Sequence, residues 1–343
     1  MPPPEKKKSR IISLRDVAEE AGVSRMTASR ALREGTQVSS ELRAKVLAAA
    51  ENLGYKTDQM VSQIMGSFAG QRQVDYRETI AVLWWPGRWA LATLQDENYE
   101  VRTLRGLQIA AELHGCKLEN ISMTEDRPAQ VMSRMLTARS IQGIILTPPR
   151  HYDQTAPDLD WDKFSVVSIG TTLHTPRFHR ARVSHYNTMV LALQKLDQLG
   201  CKRPCLLVNE DLEKRMDRAY TAAFMAWNPK AASDRIWRKA DMSERGLKTW
   251  IKARKPDVII GDLAHWQPFL PEPYASKRFV ALNVMDRTGD ICGVLQNTEL
   301  LAEQAVDLLM HARLRKQTGI PKSPTTTVNE GVWLSGKSFQ PGQ

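Results

Sequence analysis

Residues 12–35 read ISLRDVAEEAGVSRMTASRALREG, and residues 38–55 continue as VSSELRAKVLAAAENLGY. In the first stretch Leu14, Val17, Ala18 and Ala21 recur at helical spacing and fall on one face of a helix. The phase breaks at Gly22. Ser24 can then cap a second helix by accepting a backbone N–H bond, and Ala28, Ala31 and Leu32 form the buried face of that helix. Its outward side carries Arg25, Met26, Ser29, Arg30 and Arg33, side chains of the length and chemistry that reach base edges and phosphates in a major groove. As a generic amphipathic pair, the same pattern is more readily a helical hairpin with a solvated basic face. Ser39 opens a third helix, whose Leu42, Val46, Ala49 and Leu53 pack beneath the other two before Gly54 ends it.

Outward from this segment the chain changes character. Residues 1–12 combine three prolines with Lys6, Lys7 and Lys8 and read as a flexible basic arm. Residues 13–58 form the small all-α domain, and residues 59–78 form a linker with one short helix. From residue 79 to 340 apolar strand-like runs alternate with amphipathic helical segments, the pattern of parallel sheets covered on both faces. Expected strands are 79–85, 116–121, 143–147, 165–169, 204–208, 256–260 and 278–282. Expected helices are 103–113, 128–138, 187–199, 214–227, 243–253 and 298–311. So many βα units exceed one small lobe, which implies two Rossmann-like lobes with a cleft between them.

The bulk composition fits this division. At 343 residues the chain is long enough for two or three folding units, and 42% apolar with 25% charged residues is ordinary for a soluble folded protein. The formal net charge of +10 favours an anionic partner such as nucleic acid. Cys116, Cys201, Cys205 and Cys292 form no CxxC pair, so neither a zinc site nor a disulfide framework is expected. The N-terminus lacks an apolar signal core and no long apolar run occurs, which implies a cytoplasmic protein with no membrane partner. Catalytic motifs are also missing: there is no GxSxG, GxxxxGK[ST], GxGxxG after the first strand, or HExxH, and the seven histidines are scattered. No enzyme, cofactor or metal site is expected.

The string SLRDVAEEAGVSRMTASRAL, with the V-S-x-x-x-R-x-x-V and L-G-Y that follow, resembles the headpiece of LacI-type (lactose-repressor family) regulators. The later residues resemble the family's effector domain more loosely, by the order of TIAVLWW, RGLQIAAELHG, QGIILTPP and VLQNTELLAEQAVDLLM. The resemblance implies an all-α helix-turn-helix headpiece joined to an α/β two-lobed periplasmic-binding-protein-like (type I) domain. It also implies a homodimer on near-palindromic double-stranded operator DNA, gated by a small-molecule effector. By position, Arg25 and Met26 occupy the base-reading slots, Arg30 matches an arginine that reads a base, and Thr27 and Ser29 match small polar residues that contact phosphate and base. In YKTDQMVSQIMGSF, Ile64 falls at the family's minor-groove wedge, although Thr57 replaces the usual proline and Val61 and Ile64 replace a smaller alanine and a leucine. A floppy tether is the alternative there.

The effector residues expected in the cleft come from several segments. Trp84 and Trp85, with Trp89, cluster at the carboxyl end of the first strand, where ligands bind in open α/β sheets, but packing between lobes accounts for them equally well. The family's arginine at the start of a cleft helix has its counterpart in KRMDRAY, as Arg215 or Arg218. Asp262 stands for its N-D, and Asn283 replaces the usual carboxylate of a G-[FY]-D turn. Gln296 is expected to touch ligand and Asn297 to be scaffold. An aromatic wall, an arginine and several amide or carboxylate groups suit a sugar or sugar acid, with a purine as the alternative.

Overall fold

The computed structural model describes residues 14–23, 27–28, 31, 39–53, 78–94, 98–124, 127–227, 233–238, 244–261, 266, 269–285 and 289–339. The chain divides into two compact units, Met1–Arg72 and Gln73–Gln343.

In the first unit α1 spans Leu14–Glu20 and α2 spans Ser40–Asn52. Gly22 adopts a left-handed φ of 62°, which a residue with a Cβ reaches only at a cost, and Val23 N–H bonds back to Ala18 O at 2.9 Å. Thr27, Ala28 and Ala31 are helical. Val17, Ala18, Ala21, Ala28, Ala31, Val46 and Ala49 form one buried cluster, the inward faces expected from the spacing. Small residues allow these helices to approach closely. Ser39 Oγ accepts the Leu42 N–H at 3.4 Å and caps α2 as anticipated. Ser24, Leu32 and Gly54 lie outside the described residues.

The second unit holds two lobes. The first begins with β1 (Glu78–Trp84), α3 (Arg88–Ala92), α4 (Tyr99–Leu113), β2 (Cys116–Ser122), α5 (Ala129–Ala138), β3 (Gly143–Leu146), β4 (Ser165–Ile169) and β5 (His179–Val183). The chain crosses at Ser184 into the second lobe, with α6 (His185–Gln198), β6 (Pro204–Val208), α7 (Glu210–Arg215), α8 (Ala219–Trp227), β7 (Ile236–Arg238), α9 (Glu244–Arg254), β8 (Val258–Gly261), α10 (Tyr274–Lys277), β9 (Phe279–Ala281) and β10 (Gly293–Leu295). It returns at Gln296–Asn297 for α11 (Thr298–Leu314) and β11 (Thr326–Asn329), then crosses again to β12 (Val332–Leu334).

Each lobe has one six-stranded sheet, ordered β11-β5-β4-β3-β1-β2 in the first and β12-β10-β9-β8-β6-β7 in the second. All pairings are parallel except β10 with β12. β3 and β4 are buried along their whole length, as strands covered by helices on both faces must be. Helix α11 follows a strand of the second lobe yet packs Leu301, Ala302, Ala305, Val306 and Leu309 into the core of the first, against Ile80 and Val82.

The seven expected strands occur, β4 and β6 with the expected ends and the others with shifted ones, and five further strands, β5, β7, β10, β11 and β12, lie outside the expected set. In HRARV, β5 alternates buried and half-buried positions and presents no apolar run, while β7 has three residues. The expected helix 214–227 is two helices, because Asp217 and Arg218 both adopt left-handed φ, 54° and 56°. For non-glycine residues that conformation costs about 1–2 kcal/mol each, and it terminates the helix.

Candidate ligand cleft and nucleic-acid interface

Among the residues expected to contact DNA, Thr27 is half-buried and helical beside the fully buried Ala28. Arg25, Met26, Ser29, Arg30, Arg33 and Ile64 lie outside the described residues, as do Lys6, Lys7 and Lys8.

Between the lobes lies a cavity of about 240 Å³, formed by segments that follow strand carboxyl ends. Arg88 follows β1, Pro148 follows β3, and Gly170, Thr171 and Thr172 follow β4; across the cleft are Arg215 at the end of α7 and Asn283 after β9. His185 and Gln296 enter at two of the crossovers. Arg215, Asn283 and Gln296 therefore reach the cleft. Arg218 does not: it is exposed and pairs with Glu210 at 2.6 Å, because the left-handed turn carries it away from its neighbour. Asp262 lies outside the described residues.

The aromatic wall requires correction. Trp84 and Trp85 are 1% and 7% exposed and belong to two different hydrophobic clusters, as consecutive residues at the end of a strand covered on both faces. Trp84 Nε1–H donates to Asn120 Oδ1 at 2.9 Å, and Trp85 Nε1–H donates to Thr147 O at 2.7 Å. Both indoles are core residues with satisfied N–H groups, and neither lines the cavity. Trp89 packs against Trp84, with ring centroids 5.7 Å apart.

The cleft-lining groups missed from sequence are Arg88, Tyr99, Thr171 and His185. Arg88 was legible in principle, since it sits just beyond the first strand's carboxyl end in PGRW. Gly87, at φ 76°, makes the turn that starts α3 there. Arg88 is 8% exposed and pairs with Glu100. Burial pushes the Tyr99 phenol up, against the opposing pull of Arg88.

A buried polar network backs the cavity. Gln296 Nε2 donates to Tyr220 Oη at 2.6 Å and to Leu282 O at 2.8 Å, and His185 Nδ1 lies 3.2 Å from the same phenol oxygen. Burial first, then the nearby Arg182 and Arg215, push the His185 imidazole down to about 4, so it is neutral at physiological pH. Asn297 holds φ 48° at the start of α11, and Asn329 Nδ2 donates to the carbonyls of Gln296 and Asn297 at 3.0 and 3.2 Å. The two lobes also bond directly: Thr171 Oγ1 donates to Arg215 O at 2.8 Å, and His174 lies 3.7 Å from Asp217.

Among the described residues no group of three or more His, Cys, Asp or Glu is placed to hold a metal ion, and no helix is long and apolar enough to cross a membrane.

Comparison with known proteins bears on both units. Residues 13–58 match the family described as bacterial regulatory proteins, lacI family. A curated relative, the HTH-type transcriptional regulator GntR of Escherichia coli (strain K12), is 29% identical over 158 residues, 46% of this chain and 43% of that protein. The match thus spans less than half the length of that relative. Among solved structures, a transcriptional regulator CelR–cellobiose complex is similar with a TM-score of 0.55 at 18% identity, covering 95% of this chain and 99% of that one. The lac repressor dimer bound to operator and the anti-inducer ONPF gives a TM-score of 0.52 at 17% identity, covering 96% and 99%. A LacI family transcriptional regulator from Enterococcus faecium with bound ribose gives 0.51 at 11% identity, covering 77% and 100%. Residues 13–58 thus match the family described as bacterial regulatory proteins, lacI family, and the α/β domain that follows them has the two-lobed fold of these solved structures.

Proposed function

We propose that this chain is a ligand-responsive transcription regulator, acting in the cytoplasm as a repressor and not as an enzyme. Two copies bind a near-palindromic operator, and a small molecule in the interlobe cavity gates that binding. The observation that carries this reading is the union, in one chain, of a lacI-family headpiece with a two-lobed domain whose cavity is lined from both lobes. A ligand shifts an equilibrium between lobe arrangements only by its differential affinity for them, so a cavity touching both lobes is where such a ligand acts.

On DNA, Arg25, Met26, Thr27, Ser29, Arg30 and Arg33 make the headpiece contacts, and Ile64 wedges into the minor groove at the operator centre. Dimer contacts come from the sensing domain, because one headpiece buries too little surface for tight specific binding. In the cleft, Arg215, Asn283 and Gln296 contact the effector, with Asp262 as a further candidate. A sugar or sugar acid fits these groups, and the cellobiose and ribose in two structural relatives are sugars. The purine alternative loses its stacking surface with the burial of Trp84 and Trp85.

The test is a binding-site selection with the full-length protein, followed by footprinting and DNA-bending assays. A two-fold symmetric site, bent by the wild type and left straight by Ile64→Gly, is the expected result. A selected site without symmetry, or no selected site, would overturn the regulator reading; equal bending by both proteins would return residues 59–78 to a tether.

A further inference from the structure

We infer that the ligand of this cleft is a small monoanion whose carboxylate seats against Arg215 and Arg88. This rests on the effector-site reading above and deepens it. Among the described residues the cavity wall carries these two guanidinium groups and no carboxylate. The nearby carboxylate of Glu100 is engaged by Arg88. His185 is neutral there, so among the described residues one positive charge at the cavity wall has no counter-charge on that wall.

Arg215 is the group left over. Its backbone carbonyl is held by Thr171, but its Nε is buried without a hydrogen-bond partner. Burial weakens its hold on its proton, and the like charges of Arg88 and Arg150 add to that, against the opposing influence of Tyr99 and Glu100. The Nε of Arg88 is buried and unpartnered too. Leaving guanidinium N–H groups dry and unpaired is unfavourable, and a planar carboxylate answers it by accepting two parallel bonds from one fork. A neutral polyol would solvate these N–H groups but leave the charge uncompensated, whereas a phosphate monoester would bring more charge than the wall can balance.

The remaining wall sets the rest of the ligand. Leu212, Met216, Val183 and Leu301 make part of it apolar, while Asn283 and Gln296 offer amides. A compact acid with one hydrophobic face and a few hydroxyls, such as a sugar acid, fits that mixture within about 240 Å³.

The experiment uses the full-length protein with matched pairs: gluconate against sorbitol, glucuronate against glucose, galacturonate against galactose, and glucose 6-phosphate as a dianion. Thermal shift locates binders and calorimetry measures them, in wild type, Arg215→Met, Arg215→Lys, Asn283→Ala and Gln296→Ala. An acid of the panel should bind wild type at least about tenfold more tightly than its neutral partner, with Arg215→Met removing at least that factor and Arg215→Lys, which keeps charge but not the fork, falling between. Without ligand, Arg215→Met should melt higher than wild type, since an uncompensated charge is gone. No acid exceeding its neutral partner, a preference for the phosphate, or a ligand-free Arg215→Met that melts lower would each overturn the monoanion assignment. Neutral sugars that bind and are lost in Asn283→Ala or Gln296→Ala would leave the cleft reading standing while this inference falls. A binder indifferent to all four substitutions would remove both.

Discussion

The Arg102 guanidinium forks onto both carboxylate oxygens of Glu299, Nε to Oε1 at 2.8 Å and Nη2 to Oε2 at 2.6 Å. Its third arm donates to Met285 O at 2.6 Å. Arg102 lies on α4 and Glu299 in the first turn of α11, both in the first lobe, whereas Met285 follows β9 in the second. One side chain therefore joins the two helices to the loop that also carries Asn283. Burial opposes ionisation of Glu299, but the hydrogen bond and charge of Arg102, a backbone hydrogen bond and the charge of Arg105 together outweigh it and hold the carboxyl below its ordinary value.

Removing Arg102 leaves Glu299 with Arg105, 3.3 Å away and more exposed, as its remaining partner. Arg102→Ala should destabilise the protein by about 3 kcal/mol, the cost of breaking a largely buried pair. It should also weaken effector binding by freeing the Met285 loop. Chemical denaturation and calorimetry on the same variant check both, and an unchanged effector affinity would separate the tie from the cleft.

Gly106 faces the same junction. A Cβ built there would lie 2.2 Å from Glu299 O and 2.9 Å from Ala302 Cβ, so α4 and α11 approach over a bare backbone. Backbone atoms cannot rotate away. Gly106→Ala should cost about 1–3 kcal/mol or more through forced separation of the helices, despite alanine's better helix propensity. A variant of equal or higher melting temperature would show that the helices part freely.

His185 supplies a pH dependence. Its folded value of about 4 lies below the ordinary histidine value of about 6.5, so the unfolded chain binds the proton more readily between them. The contribution is complete above about pH 6.5 and is lost as pH falls towards 4, on the order of 3 kcal/mol in all. His185→Asn should flatten the loss of stability with acid across that window relative to wild type. Superimposable slopes would show that this ring takes up no extra proton on unfolding.

At the DNA, Arg30→Ala should cost about 1–3 kcal/mol and relax preference at one position of each half-site. Trimming residues 1–8, which removes Lys6, Lys7 and Lys8, should instead weaken all sequences alike and flatten the salt dependence. A binding-site selection with unchanged preference for the Arg30 variant would reject its base-reading role.

Much of this architecture was legible in the sequence because it is written in local periodicity. The 3.6-residue spacing of Val17, Ala18, Ala21, Ala28 and Ala31 and the break at Gly22 specify a helix, a turn and a second helix without reference to the rest of the chain. Apolar runs such as GIIL and VIIG likewise mark buried parallel strands wherever they are placed. The strand HRARV escaped notice because its own run alternates apolar residues with arginines, and its outer partner β11 is remote in sequence.

Beyond Asn283, Gln296 and the choice of Arg215 or Arg218, which the family resemblance pointed to, the side chains that reach the cleft were decided by tertiary structure. Trp84 and Trp85 are adjacent at the end of β1 and looked like a wall, but clusters on both faces of the sheet absorb them. Arg215 and Arg218 could not be told apart by spacing, because the choice turns on two consecutive left-handed residues that no propensity favours. Arg88, Tyr99 and His185 carry no shared motif; they meet because β1, α4 and the first crossover converge at one edge of the two sheets. Periodicity records whether a residue faces inward from its own element, and only the packing of distant elements determines whether that inward face meets a core or a cavity.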